Sequence, residues 1–184
     1  MQIKAQLRRE LLSKRKNIAD KKEKDLKICN NLLNSLLYIN CDKILFFAAL
    51  DDEINTDYAI QAAISRGKTV YLPKCIDNCG NMDFYKINSL DELITGSFNV
   101  REPKGNSDKF NDCSNALCVV PAISYDLKGF RLGYGKGYYD RFLEKFSSVS
   151  VGLCYNEMII DKIPADRLDL PVNYIITEDS VFSV

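Results

Sequence analysis

Six short apolar runs, at residues 44–49, 69–72, 82–87, 117–120, 149–155 and 174–177, recur along the chain with helix-period or polar segments between them. Each is too brief for a stable helix and reads as a strand, those at 44–49 and 117–120 buried on both faces. Between them lie helical patterns. Ile3, Leu7, Leu11 and Leu12 repeat at helical spacing within residues 1–18, and Leu26, Leu32, Leu33 and Leu36 do so within 20–37, giving two helices or one broken near Ala19. Further helices are expected at 56–66, with Gly67 just past the end, and at 137–146. Strands alternating with helices predict a three-layer α/β/α domain with a largely parallel central sheet, a single domain spanning residues 1–184.

The punctuation refines this outline. Pro73 is expected to stop the second strand, and Pro121 the fourth. Residues 77–81 carry turn chemistry, and 99–115, with Pro103, Gly105, Asn106 and a Ser/Asp/Asn cluster, read as a long surface loop. The run at 174–177 is expected to be the last strand.

Several function classes are excluded by what the chain lacks. It has no histidine among its 184 residues, which removes Ser-His-Asp and Cys-His catalysis and any histidine metal ligand. Any chemistry must rest on carboxylates, Lys, Arg, Tyr, backbone dipoles or a metal ion. Seven scattered cysteines without a C-x-x-C spacing read as reduced thiols rather than a disulfide framework or zinc site. No apolar run reaches the roughly 18 residues a membrane helix needs, so a soluble, cytoplasmic protein with no membrane partner is expected. The first 27 residues hold ten Lys/Arg against four Asp/Glu, yet the whole chain has zero net charge, which speaks against a nucleic-acid partner.

Residues 129–141, GFRLGYGKGYYDR, are where chemistry concentrates: four glycines, three cations, three tyrosines and an aspartate in thirteen residues. Glycines let backbone N–H groups approach an anion, and Arg131, Lys136 and Arg141 supply positive charge. The segment leads into an expected helix, so free N–H groups would face whatever the loop surrounds. It is neither a Walker A loop, since Lys136 is followed by Gly137 rather than Ser or Thr, nor a dinucleotide fingerprint.

Read together with its upstream flank, PAISYDLKGFRLGYGKGYYDR at residues 121–141 resembles the signature of the 5-formyltetrahydrofolate cyclo-ligase family, close to P-G-x-x-F-D-x-x-G-x-R-L-G-x-G-x-G-Y-Y-D. Pro121, Asp126, Gly129, Arg131, Leu132, Gly133, Gly135, Gly137, Tyr138, Tyr139 and Asp140 match in register; Ala122 and Tyr125 depart mildly. The similarity extends to Lys4 and Arg8, to the turn Asp52-Glu53-Ile54 and to the closing Pro-Val-x-x-Ile-Ile-Thr-Glu, and so covers nearly the whole chain.

The resemblance implies an ATP-dependent ring closure. 5-Formyltetrahydrofolate, with or without a polyglutamate tail, becomes 5,10-methenyltetrahydrofolate through a phosphorylated formyl group, with ADP and phosphate released. A monomer or weak dimer is expected. The alternative is a folate- or nucleotide-binding relative with weak or no turnover. ATP contacts are implied for Lys4, Arg8, Arg131, Leu132, Gly133, Tyr134, Gly135, Lys136, Gly137, Tyr138 and Tyr139, with Arg131 and Lys136 neutralising the transferred phosphate. On a helical wheel Lys4, Arg8 and Arg15 fall within about 40° of one another; Arg15 stays open between a phosphate role and a solvated face.

Glu53 resembles the family's folate carboxylate, and a carboxylate can accept an amino group and a ring N–H side by side. Asp51 and Asp52 read as turn or capping residues. Met82, Tyr85 and Tyr138 are candidate folate-lining residues, with Met82 and Phe84 on one face of their strand and Asp83 and Tyr85 on the other. Asp140 is the candidate Mg2+ ligand. The family's second magnesium aspartate corresponds to Asn173, which leaves two options: Asp140, water and ATP hold the metal alone, or Asp169 compensates.

Overall fold

The computed structural model describes residues 2–77, 79–104 and 108–184; Asn78 of the expected 77–81 turn, and Gly105 and Asn106 of the expected long loop, lie outside them. Its centre is a seven-stranded sheet of order β12-β11-β9-β6-β1-β2-β3. The strands are β1 (Lys43–Leu45), β2 (Thr69–Cys75), β3 (Met82–Ile87), β6 (Ala116–Val120), β9 (Val149–Leu153), β11 (Tyr174–Ile176) and β12 (Val181–Ser183). The five inner strands are parallel, and the two edges, β3 and β12, run antiparallel to their neighbours. Helices are α1 (Gln2–Lys16), α2 (Lys21–Asn34), α3 (Leu36–Ile39), α4 (Asp57–Ser65) and α5 (Tyr138–Leu143). The expected three-layer α/β architecture is present, and no helix of the described residues is long and apolar enough to cross a membrane.

Burial explains why these segments became strands. All five residues of β6 are buried, as an inner strand with both faces covered requires. Tyr71 on β2 meets Phe110 edge-on with centroids 5.2 Å apart, and Phe84 on β3 meets Phe142 at 4.6 Å, so α5 and the segment that precedes β6 cover that face. Elsewhere α4 packs on β2, and α2 on α4 and β11.

Five expectations need correction. Pro73 does not stop β2, which continues to Cys75 paired with β3. Tyr71 turns its carbonyl toward β1, accepting from Phe46 N at 2.9 Å, so Pro73, two residues on, turns its nitrogen the same way; the β1 ladder has ended by then and no N–H is needed. The helix expected to 37 breaks at Ser35, whose extended backbone ends α2 and whose hydroxyl accepts from Tyr38 N to cap α3. The helix expected to 146 stops at Leu143. The stretch 99–115 is not all loop: β5 (Arg101–Pro103) pairs with β4 (Leu93–Thr95). Residues 174–177 do not hold the last strand, because β12 follows and covers the sheet edge.

A small second sheet prepares the glycine segment. β7 (Ser124–Asp126) pairs with β8 (Arg131–Leu132) on one side and β10 (Ile159–Ile160) on the other. Asp126 organises it. Buried at 1% exposure, its carboxylate accepts Lys128 N at 2.9 Å, Phe130 N at 3.0 Å and Ile163 N at 2.9 Å. Tyr125 beside it is fully buried and donates its hydroxyl to Val120 O at 2.9 Å. The ring fits only because position 152 is glycine: a Cβ there would lie 2.4 Å from Tyr125 Cζ.

Candidate active site

Parallel sheets bind ligands beyond the carboxyl ends of their strands, and Glu53 after β1 and the glycine segment after β6 lie on that side. After β1 the chain stays buried through Ala48, then turns, with Glu53 N donating to Leu50 O at 2.9 Å. The turn folds the Glu53 side chain inward to 6% exposure. Its Oε2 accepts Leu50 N at 3.0 Å and its Oε1 accepts the Tyr134 hydroxyl at 2.9 Å. Burial raises the carboxyl pKa above its ordinary value, and the bonds from Leu50 N and Tyr134 oppose that rise only in part. Asp51 and Asp52 lie in the turn, as expected, and Asp52 Oδ2 also pairs with Arg15 NH2 at 2.5 Å.

The glycine segment runs from β8 to α5 and is held from both sides. Arg8 Nε donates to Gly133 O at 2.7 Å, and its guanidinium lies beside Gly135. Gly137, at φ +70°, occupies left-handed backbone as the residue that enters α5, a conformation costly for any residue with a Cβ. With six residues α5 has little dipole, so what it adds is its free first-turn N–H groups. Leu132 is buried in the core. Arg131 donates from NH1 to Leu170 O at 2.7 Å and from NH2 to Asp140, so its planar fork ties the loop to the 166–170 turn. Lys4 reaches the same turn, with Asp166 at 2.8 Å and Asp169 at 2.6 Å; burial lowers its pKa, but bonds to Asp166 and Asp169 leave it raised overall.

The remaining candidates divide. Lys136 is exposed, its ammonium 5.7 Å from the Phe98 ring. Tyr138 donates to Asp77 O at 2.9 Å and stands edge-on to Phe98 with centroids 6.2 Å apart; desolvation and the neighbouring Cys75 push its hydroxyl up to about 12. Tyr139 turns a buried hydroxyl inward with no partner among the described residues, and burial holds its pKa well above the ordinary value. Met82 and Tyr138 line one cleft of about 490 Å3 together with Gly80, Arg141 and Phe142. Tyr85 lines neither that cleft nor the small void beside Glu53, and instead lies against Lys74.

The carboxylates can be tested against a magnesium ion. Asp140 takes its bonds from Arg131 and Leu170 N on Oδ1, which leaves Oδ2 available to a hard cation. Among the described residues no cluster of three or more His, Cys, Asp or Glu could cage a metal by itself. Asn173 is committed elsewhere: its Oδ1 accepts Ser150 N at 2.8 Å and Ser150 Oγ at 3.0 Å, tying the entry of β11 to β9. Asp169, two bonds along the chain from the Leu170 N–H that meets Asp140, is the other acidic residue on that turn's inner side, and it is paired with Lys4.

Sequence reasoning missed the part played by Arg15. The wheel placed it beside Lys4 and Arg8, but its side chain is buried and bonded to Asp52, Tyr134 and Ala122 O, contacts from segments 37 to 119 residues away. No local pattern signals such a link.

Known proteins resemble this chain over most of its length. The model of the 5-formyltetrahydrofolate cyclo-ligase family matches residues 1–178. A probable 5-formyltetrahydrofolate cyclo-ligase of Schizosaccharomyces pombe is 30% identical over 175 residues, covering 85% of this chain and 84% of that protein. The 5-formyltetrahydrofolate cyclo-ligase of Mus musculus is 29% identical over 156 residues, 78% of this chain and 76% of the mouse protein. Among solved structures, the 5,10-methenyltetrahydrofolate synthetase of Aquifex aeolicus superposes with a TM-score of 0.86 at 28% identity, covering 98% of this chain and 92% of that one.

Proposed function

The chain belongs to the 5-formyltetrahydrofolate cyclo-ligase family and carries that activity, and from this premise we propose that it closes the folate ring with ATP as phosphoryl donor, using the residues gathered around the glycine segment. Glu53 accepts the amino group and ring N–H of the reduced pterin. Arg8, Lys4, Arg131 and Lys136 surround the phosphates with positive charge, and the backbone N–H groups from Leu132 to Tyr139 line the loop that faces them. Asp140 would hold Mg2+, whose contribution there is to neutralise charge on the phosphates.

In the reaction so proposed, the formyl oxygen on N5 attacks the γ-phosphorus and the bond to the bridging oxygen of ADP breaks. N10 then adds to the activated formyl carbon and gives up its proton to the departing phosphate or to water, phosphate leaves with the former formyl oxygen, and the 5,10-methenyl bridge remains. The substrate supplies both nucleophiles. The protein therefore has to align formyl oxygen and γ-phosphate and stabilise the transferring group, which agrees with a site that lacks histidine.

One observation carries the assignment: a single short loop offers its Gly133 carbonyl to Arg8 and its Tyr134 hydroxyl to Glu53, so it joins the candidate phosphate cations to the candidate folate carboxylate. The test is to follow methenyl absorbance with and without ATP and Mg2+, while measuring ADP and phosphate. One ADP and one phosphate per methenyl product is expected. Product formed at full rate without ATP would refute the mechanism, and folate binding without product would favour a non-catalytic relative.

A further inference from the structure

We infer that Arg15 is a positioning residue for folate recognition, acting through the Tyr134 hydroxyl on the Glu53 carboxylate; the inference rests on the assignment of Glu53 to the pterin. Arg15 leaves the last turn of α1 and is 3% exposed. Its NH2 donates to Tyr134 OH at 2.7 Å and to Asp52 Oδ2 at 2.5 Å, its NH1 donates to Ala122 O at 3.1 Å, and its guanidinium carbon lies 5.9 Å from the centre of the Tyr134 ring.

The direction of the relay follows from the donor inventory. A guanidinium only donates, so the tyrosine oxygen accepts from Arg15 and its single proton is left for Glu53 Oε1, 2.9 Å away. With Oε2 fixed by Leu50 N at 3.0 Å, both carboxylate oxygens have one bond set by the protein and keep lone pairs for an incoming donor pair. Arg15 also brings positive charge close to a carboxylate that burial would otherwise drive toward its neutral form, which could not accept both pterin hydrogens.

Direct contact between Arg15 and the pterin is excluded on the inner side. The void that Arg15 shares with Glu53, Ile54, Ala122 and Tyr155 measures about 10 Å3, room for at most one water. Arg15 can therefore reach the pterin there only through Tyr134 and Asp52. Asp52 and Ala122 O would suffice to anchor a purely structural arginine, whose Nε stays buried without a partner among the described residues; the bond to Tyr134 OH is what couples it to the site.

Binding of 5-formyltetrahydrofolate without ATP, and the KM of each substrate, should be measured for Tyr134→Phe, Arg15→Met, the double variant, Arg15→Lys and Glu53→Gln. Tyr134→Phe and Arg15→Met are each expected to weaken folate binding about tenfold, the scale of one hydrogen bond to a charged group, with the KM for ATP unchanged. In the Tyr134→Phe background Arg15→Met should cost about threefold at most, because the relay is already cut and only the effect of its charge on Glu53 remains, and Arg15→Lys should restore part of the loss. Equal cost of Arg15→Met in both backgrounds would overturn the relay. Tyr134→Phe, at a half-exposed ring, decides the matter if Arg15→Met fails to fold: unchanged folate affinity refutes the proposal. Glu53→Gln separates the two levels. If it abolishes folate binding while the Arg15 and Tyr134 variants bind normally, only the relay is wrong; if it too binds normally, the Glu53 assignment has failed.

Discussion

Asp126 belongs to the motif that carries the family resemblance, yet its geometry assigns it to architecture rather than chemistry. Replacing it with asparagine tests this. The carboxylate is buried and receives three backbone N–H groups, two on Oδ1 from Lys128 and Phe130 and one on Oδ2 from Ile163 at 2.9 Å. An asparagine that keeps the Oδ1 pair presents its NH2 to the Ile163 N–H, so one charge-assisted bond is lost and two donors face each other. A hydrogen bond to a charged group is worth about 1.5–3 kcal/mol, and the opposed donors add to that loss, so Asp126→Asn should cost about 3 kcal/mol. At roughly 2–4 °C per kcal/mol for a chain of this size, the melting midpoint should fall about 6–12 °C. Calorimetric unfolding reads the stability, and methenyl formation well below both midpoints reads the chemistry. A variant that melts early but turns over within about threefold of the parent is expected. One that melts normally while kcat falls about a hundredfold would refute the reasoning, since an interaction confined to the transition state would then have been removed.

Four further outcomes follow from the geometry. Gly152→Ala places a Cβ 2.4 Å from the Tyr125 ring, so urea unfolding should show a loss of about 2–4 kcal/mol; an unchanged midpoint would mean the ring can move aside. Because burial raises the Glu53 pKa, folate affinity should fall on acidification at a pH above the ordinary carboxylate value of 4.5, and Glu53→Gln should flatten that dependence. The same shift makes the folded state the better proton binder, so Glu53 contributes stability at low pH that is lost as pH rises from 4.5 through the raised value; a Glu53→Gln stability curve parallel to the parent across that window would contradict it. Arg131→Lys replaces a fork that spans Leu170 O and Asp140 with one ammonium, so the KM for ATP and the Mg2+ needed for half-maximal rate should both rise about tenfold, and unchanged values would remove Arg131 from the phosphate site.

Much of the fold was legible because the physics was local. Residues 117–120 are uninterrupted apolar residues and became an inner strand, and the 56–66 pattern with Gly67 became α4 with a positive-φ glycine past its end. Pro73 misled because what matters is which edge its nitrogen faces, and that depends on where β1 stops pairing. The final strand was invisible because β12 is three half-exposed residues stabilised by pairing with β11 rather than by burial. In the site, the wheel correctly set Lys4, Arg8 and Arg15 on one side of a helix, and all three do reach other segments of the site wall. Their partners could not be read, since each lies at least 37 residues away. Asn173 looked like a metal position with its charge removed; its amide oxygen in fact serves Ser150.

The attachment of α1 carries a consequence for the order in which the protein is completed. Of its apolar side chains only Leu11 is buried, with Leu7 and Leu12 partly so and Ile3 70% exposed, while Lys4, Arg8, Lys14 and Arg15 fasten it to acceptors at Asp166, Gly133, Glu157 and Tyr134. Its acceptors lie 119 to 162 residues further along the chain, so the helix is seated only once they are in place. In refolding, the circular dichroism of the sheet should recover before enzymatic activity does, and added salt should lengthen that interval by screening the bonds that seat the helix.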